Sequence, residues 1–467
     1  MTSLLEPGDY GQWVLLIAFQ SFCGLFLVNP VDQHIFRQTH AWWDDKTLLL
    51  KFTQYNRYIS VVSVFISLVV AVWWGLENGK DSVLAYDLAA GLAVGCLVYF
   101  GTWSTALFFT LNMLGFRGES IAWALASVVV GLIISTICAF QNPHALSWIF
   151  GQIVGNAIGA FGAWRSLVSH GTRTPAPDHP VSFGEFLDFA TIRKFCFPLA
   201  AATGFMWAQS SGYRFWAGGN WGIAELGILV IGLGVSAQLT AIVESLAMQF
   251  LYPFFARQIS DAGDISKTSA ALSDLMNVLA PVYAIWAGFN AVCASVLLHL
   301  LTDSRYHSAV PFVLFGAAIE FARCTTNLWS NTGRAIQQTG GLILPYGIGA
   351  AIVAIGSFII EHFHGELIAL AGLLVFAGVA TCIAMMIQMQ KRLSISVRMP
   401  RLVFGISVMF GSFSIAIVAP IEAVSIAQSI AILLVIGVLT LCLIVAVLWR
   451  NPALHRLLAA PLRVRSV

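Results

Sequence analysis

Charge is the scarcest ingredient of this sequence. Asp, Glu, Lys and Arg make up 10% of its 467 residues and hydrophobic residues 58%, where soluble domains carry about a quarter and about half. A water-soluble globule is excluded by that balance, and the long apolar runs point to an all-α polytopic membrane protein. Paired cysteines are missing too. Cys23, Cys96, Cys138, Cys196, Cys293, Cys324, Cys382 and Cys442 each stand alone in an apolar run, so no disulfide framework or metal site is expected. No two of the ten histidines are spaced H-x-x-x-H, which argues further against a metal. Nucleophile motifs and phosphate-cradling glycine loops are absent, so neither a catalytic site nor a cofactor is expected. There is no low-complexity tract and no polar stretch long enough for a separate soluble domain. The first apolar run follows Glu6 and Asp9 rather than basic residues and precedes no small-residue cleavage site, unlike a secretory signal.

What is present is a series of apolar runs. About twenty apolar residues are needed to cross the hydrocarbon layer, and thirteen segments qualify: 11–29, 58–76, 84–112, 120–140, 145–165, 195–217, 223–255, 275–301, 308–332, 342–361, 366–389, 402–420 and 424–449. The longest connections are then 30–57, 166–194 and 390–401, the second a hinge-like linker with Pro175, Pro177 and Pro180. Lys and Arg support the count, because cytoplasmic loops collect positive charge. Twenty of the 24 fall on one side, Lys80 and Arg305 on the other, and Arg214 and Arg323 inside spans. The carboxyl terminus is therefore expected in the cytoplasm. Thirteen crossings put the amino terminus outside, where Pro7-Gly8-Asp9 reads as a connecting turn after a lost first helix.

An internal echo leads to the same expectation. "GDYGQWVLLIAF" at 8–19 is matched by "IAELGILVIGLG" at 223–234, and each opens a helix running toward an Arg-Gln pair, Arg37-Gln38 or Arg257-Gln258. Only the second copy is preceded by a span. Two six-helix lobes, the first lacking one helix, and a final helix pair follow, an arrangement of parallel repeats. The expected divisions are 1–165, a cytoplasmic linker 166–194, 195–389, and 390–467 with the basic tail.

The segment "LLEPGDYGQW" and the stretch "FCFPLAAATGFMWAQSSGYRFWAGGNWGIAELG", with Pro198, Arg214, Glu225 and Gly227, resemble Wzx-type polysaccharide and O-antigen flippases of the multidrug/oligosaccharidyl-lipid/polysaccharide exporter superfamily. Tyr213 stands where that pattern has an acidic residue. The resemblance implies a non-enzymatic flippase in a bacterial inner membrane. It implies alternating-access movement of lipid-linked oligosaccharide precursors of a surface polysaccharide. Its partners would be the lipid-linked glycan, membrane lipids, and a polysaccharide polymerase with other assembly proteins, not nucleic acid. A drug or metabolite exporter of the same superfamily is the alternative, and a membrane-embedded glycan polymerase a third reading that the short outer loops disfavour.

Carrying a pyrophosphate through hydrocarbon requires cationic and hydrogen-bonding groups along the route. Glu320, Arg323, Asn327, Asn331 and Arg334 fall within an arc of roughly 80° at 100° per residue, one polar stripe facing either a wet cavity or, for Glu320 and Arg323, an internal ion pair. Arg214, near Gln209, Ser210 and Ser211, is the other intramembrane cation, and snorkelling to the interface is its alternative reading. Glu244 and Asp87 are the candidate ion-coupling carboxylates. Pro198, Pro281, Pro311 and Pro345 are candidate bending points. Trp73, Trp74 and Trp216 read as interfacial anchors, with Trp207 and Trp329 as candidate glycan platforms. Reporter fusions are expected to place residue 180 and the carboxyl terminus in the cytoplasm and residue 305 outside; an external tail would overturn the topology.

Overall fold

A computed structural model describes residues 3–78, 84–171, 192–260, 265–336, 339–421 and 425–458. The expected linker prolines and Lys80 lie outside the described residues. Within them the chain is helical, without strands, and forms two compact units, Met1–Trp207 and Ala208–Val467. Among the described residues, twelve helices are long and apolar enough to cross a membrane. The expected span 195–217 is a further helical run, 192–221, broken by two π segments, Ile192–Cys196 and Ala208–Gly212. The units divide inside that run, beyond the linker expected at 166–194.

The first unit begins with α1 (Pro7–Phe22), a π segment (Cys23–Val28) and α2 (Asn29–Asp44) in one unbroken run. Two expectations are corrected here. Pro7 does not break a helix but starts one, where its missing N–H costs nothing, and Asp9 sits favourably in the first turn. The stretch 29–44, expected as part of a connection, is helical although polar, because helicity needs no hydropathy outside the bilayer core. Next come α3 (Leu48–Asn78), α4 (Leu84–Met113), α5 (Arg117–Gln141), α6 (Ala145–Gly171) and α7 (Phe197–Trp207).

A π turn leaves carbonyls badly placed for the helix's own donors. Side chains attend to them here: the Tyr58 hydroxyl donates to the Leu27 carbonyl (2.8 Å) and Thr203 of α7 to that of Leu25 (2.6 Å). Trp207 donates to the Ala18 carbonyl (3.0 Å) and to Ser21 Oγ (3.1 Å). Those bonds bind α7 to the first unit.

The second unit contains α8 (Tyr213–Trp221), α9 (Ile223–Ser260), α10 (Ile265–Val292), α11 (Ala294–Leu301), α12 (Val310–Ala335), α13 (Ile343–His362), α14 (Leu367–Gln390), α15 (Met399–Val418), α16 (Ile426–Leu448) and the short α17 (Pro452–Leu458). Of the four expected bending points only Pro281 lies deep in an α-helix. Pro198, Pro311 and Pro345 each fall in the first turn after a π or 3₁₀ segment, where a proline displaces little. Helix α15 closes on the proline bend of α10, since a Cβ at Gly405 would stand 2.8 Å from the Pro281 carbonyl oxygen.

The connection after α14 is not a free loop. Ser269, Ser273 and Asn277, one turn apart on α10, bond the backbone of Ser394, Ser396 and Arg398 in turn. The match works because four helical residues and two extended residues both advance about 6 Å. Beside it Arg456 of α17 forms a two-pronged ion pair with the buried Asp274. At the other end of α10, Asp303 caps a 3₁₀ turn by accepting from the Arg305 backbone N–H, which holds its carboxyl below the usual range.

Lipid offers helices no hydrophobic drive to associate, so close backbone approach does the work. On α5 the residues Ser127, Gly131 and Ser135 meet Gly151, Gly155 and Gly159 of α6, and Gly162 lies against the Trp123 ring. A Cβ at Gly155 would fall 2.4 Å from the Ser127 carbonyl oxygen. Gly155→Ala is therefore expected to force the pair apart and to cost about 1–3 kcal/mol, seen as a lower thermal unfolding midpoint in detergent; an unchanged midpoint would refute the close contact.

Candidate functional site

Three of the stripe residues meet a carboxylate from another helix. On α12, Glu320 and Arg323 lie one turn apart and Asn327 one turn further, while Glu244 reaches the same place from α9. Arg323 donates from Nε to Glu320 Oε2 (2.7 Å) and from Nη2 to Glu244 Oε2 (2.8 Å). Asn327 Nδ2 donates to the other oxygen of Glu244 (3.0 Å). The internal ion pair and the candidate coupling carboxylate are thus one group, with Cys324 Sγ beside Arg323 (3.6 Å) and Tyr283 of α10 within electrostatic range.

This group has two carboxylates for one guanidinium. Its members differ in accessibility: the Glu320 side chain is 10% exposed, Glu244 22% and Arg323 37%. Arg323 has spent Nε and one terminal nitrogen, and its Nη1 donors have no partner among the described residues. A guanidinium carries five donors in a rigid fork, so the group can accept an anionic oxygen without losing its internal bonds. It can equally hold a proton or a monovalent cation on the carboxylate in excess.

The other expected residues are arranged differently. Asn331 is buried one turn beyond Asn327 and is not bonded to the cluster among the described residues, and the Arg334 side chain lies outside them. Arg214 is in α8, with its Nε buried and no hydrogen-bond partner among the described residues. Gln209 belongs to the π segment before α8, where it accepts from Thr381 of α14 (3.1 Å) and presses against Gly349 of α13. Asp87 belongs to the first unit, buried in the opening turn of α4 against Gly75 of α3, with Oδ1 unpartnered among the described residues. Of the two coupling candidates, then, only Glu244 joins the stripe. Neither candidate glycan platform is a free aromatic face. Trp329 is 3% exposed, and Trp207 packs edge-on against Phe22 at 4.9 Å with its N–H engaged.

One residue escaped sequence reasoning altogether. Asp32, in the first turn of α2, accepts a short hydrogen bond from Tyr55 of α3. It was invisible because the segment reads as a polar connection; the signal was the Asn29-Pro30 pair directly after an apolar run, which marks a helix restarting. All eight cysteines are free thiols, and among the described residues no three His, Cys, Asp or Glu side chains gather as a metal site would require.

The three-residue ion group alters what mutation should do. Arg323→Ala leaves two carboxylates facing each other, and adding Glu320→Ala still leaves Glu244 without its cation. The single change is expected to cost about 2–4 kcal/mol, the lower end reflecting the partial exposure of Arg323. Only the triple change Glu244→Ala, Glu320→Ala, Arg323→Ala should recover most of the loss. Membrane-inserted abundance and unfolding midpoints of the series measure this; full recovery by the double variant would show that Glu244 is not coupled to the pair.

No protein-family model and no curated protein sequence matches the chain. Solved structures do. The lipid II flippase MurJ in an inward closed conformation aligns with a TM-score of 0.63 at 11% identity, covering 96% of this chain and 97% of that one. An inward-facing multidrug resistance MATE family transporter of the MOP superfamily aligns at 0.58 and 8% identity, covering 87% and 90%. The eukaryotic MATE transporter AtDTX14 aligns at 0.52 and 13% identity, covering 87% and 88%. At such identities the likeness speaks for architecture alone: this multi-pass membrane protein has the fold of the MOP-superfamily transporters.

Proposed function

We propose that the chain is a flippase that carries lipid-linked oligosaccharide precursors of a surface polysaccharide across the cytoplasmic membrane by alternating access. One observation carries the reading. Arg323, in the middle of a membrane-spanning helix, is more than a third exposed and keeps two guanidinium donors unspent among the described residues. A cation held at that depth faces a polar route rather than lipid, and its forked geometry suits a phosphate. Arg214, whose Nε has no partner among the described residues, is a second candidate cation. The fold shared with a structure described as a lipid II flippase agrees with this choice.

In this reading Glu320 orients Arg323, and the charge of Glu244 opposes an incoming anion. Two carboxylates beside an incoming pyrophosphate would repel it, so a proton or monovalent cation on Glu244 accompanies substrate engagement, and Asn327 steadies that carboxyl in either state. Asp87 is a second candidate carboxylate for coupling. Asn331 extends the route along the same face of α12. The protein works in the inner membrane with its carboxyl terminus in the cytoplasm, beside the polymerase and other assembly proteins.

A second reading rests on the excess of carboxylate. Two acids against one guanidinium would also accept a cationic drug or metabolite, and the MATE structures share the fold. Export assays in a deletion strain separate the two. For the flippase, Arg323→Ala should cut surface glycan at least tenfold and Arg323→Lys should retain part of it, because a point charge survives but the fork does not. Normal surface glycan with Arg323→Ala at full abundance, together with loss of resistance to cationic compounds in Glu244→Gln, would replace the flippase with the exporter.

A further inference from the structure

The first unit holds polar groups that none of the foregoing uses. Gln20, near the end of α1, and Asn156, near the middle of α6, converge on Gly101 of α4. A Cβ at residue 101 would lie 3.5 Å from Gln20 Nε2 and 3.6 Å from Asn156 Nδ2. Both carboxamide nitrogens therefore stand around one small notch that exists because residue 101 has no side chain. The orientation of Asn156 follows from its other end, where Oδ1 accepts from Ser127 Oγ at 3.2 Å. Its NH₂ group is left facing the notch. Gln20 and Asn156 Nδ2 have no hydrogen-bond partner among the described residues, and both residues are half-buried. The Gly101 carbonyl is already occupied by Ser104 Oγ (3.0 Å) and Thr105 Oγ1 (2.8 Å).

Amide donors cannot be left bare in hydrocarbon without cost. This notch consequently faces water or a ligand, to which it offers amide donors with the Gln20 carboxamide oxygen as an acceptor beside them. Its walls present carboxamides and hydroxyls, with no ionised group bonded to them, so it is poorly made for a phosphate, which draws cations. Uncharged oxygen acceptors fit it, namely the hydroxyl and acetamido oxygens of a sugar. We propose that Gln20 and Asn156, over the Gly101 notch, form a subsite in the first unit for the uncharged sugar portion of the transported molecule. This rests on the flippase reading, and the subsite lies wholly within the first unit.

The test compares lipids that differ only in the sugar, using the full chain in lipid nanodiscs. The probes are farnesyl pyrophosphate, farnesyl-pyrophosphoryl-N-acetylglucosamine and the phosphate-free farnesyl N-acetylglucosaminide. Wild-type protein is expected to bind the sugar-bearing pyrophosphate about tenfold tighter than the bare one, the increment of one or two hydrogen bonds. Gln20→Ala with Asn156→Ala should reduce that ratio to about one and leave farnesyl pyrophosphate affinity unchanged. Gly101→Val fills the notch while keeping both amides and the Ser127 contact, and should do the same; Gln20→Ala alone and Gly101→Val decide the matter if loss of Asn156 unfolds the protein. A wild-type ratio near one, a ratio unmoved by the variants, or equal loss for both pyrophosphates would overturn the subsite. If neither pyrophosphate binds, the flippase reading fails and the phosphate-free glycoside decides: weakening of about tenfold in the variants sustains the sugar subsite, and unchanged or absent binding overturns it.

Discussion

A backbone inside hydrocarbon must satisfy its own hydrogen bonds, and most of this architecture follows from that constraint. Regular helices meet it without help. Wherever the helix departs from regularity, a particular side chain makes up the difference. The π segment Cys23–Val28 is tolerated because Tyr58 and Thr203 reach the carbonyls of Leu27 and Leu25. The extended strap after α14 is tolerated because Ser269, Ser273 and Asn277 bond its backbone. These contacts also hold the units together from within: Thr203 and Trp207 keep α7 on the first unit, and the strap with Arg456 ties the final helices to α10.

The same scarcity of solvation governs charge. Each buried carboxylate is expensive unless a cation or donor meets it, so the few that exist are informative. Asp87 is buried with Oδ1 unpartnered among the described residues, while Asp274 is met by Arg456, the half-buried Asp32 by Tyr55, and Glu320 with Glu244 by Arg323. The last group differs in being partly exposed and unevenly charged, with donors to spare. A fully satisfied ion pair holds a structure; an unevenly satisfied one can exchange partners, which is what the role proposed for this group requires.

Much of the fold was legible in the sequence because the membrane filters composition so strongly. Apolar runs long enough to span, the bias of Lys and Arg between alternate loops, and the 3.6-residue polar stripe of α12 are one-dimensional signals of a one-dimensional constraint. Helix ends were less legible where polarity changed without helicity changing, as at 29–44. The stripe itself was readable down to Glu320, Arg323 and Asn327 falling on one face.

What composition and periodicity determined, then, is an all-helical polytopic chain with a polar face on α12 and almost no charge elsewhere in its spans. Tertiary structure alone decided which charges meet. Glu244 is 79 residues from Arg323 along the chain, and only the packing of α9 on α12 makes them partners. The notch at Gly101 of α4 likewise gathers side chains from α1 and α6, and Asp32 finds its partner only because Tyr55 is folded against it. Periodicity records which face of a helix is polar. The identity of the opposing face depends on helix rotation and approach, and small residues such as Gly155 and Gly405 set those through contacts with atoms remote in sequence.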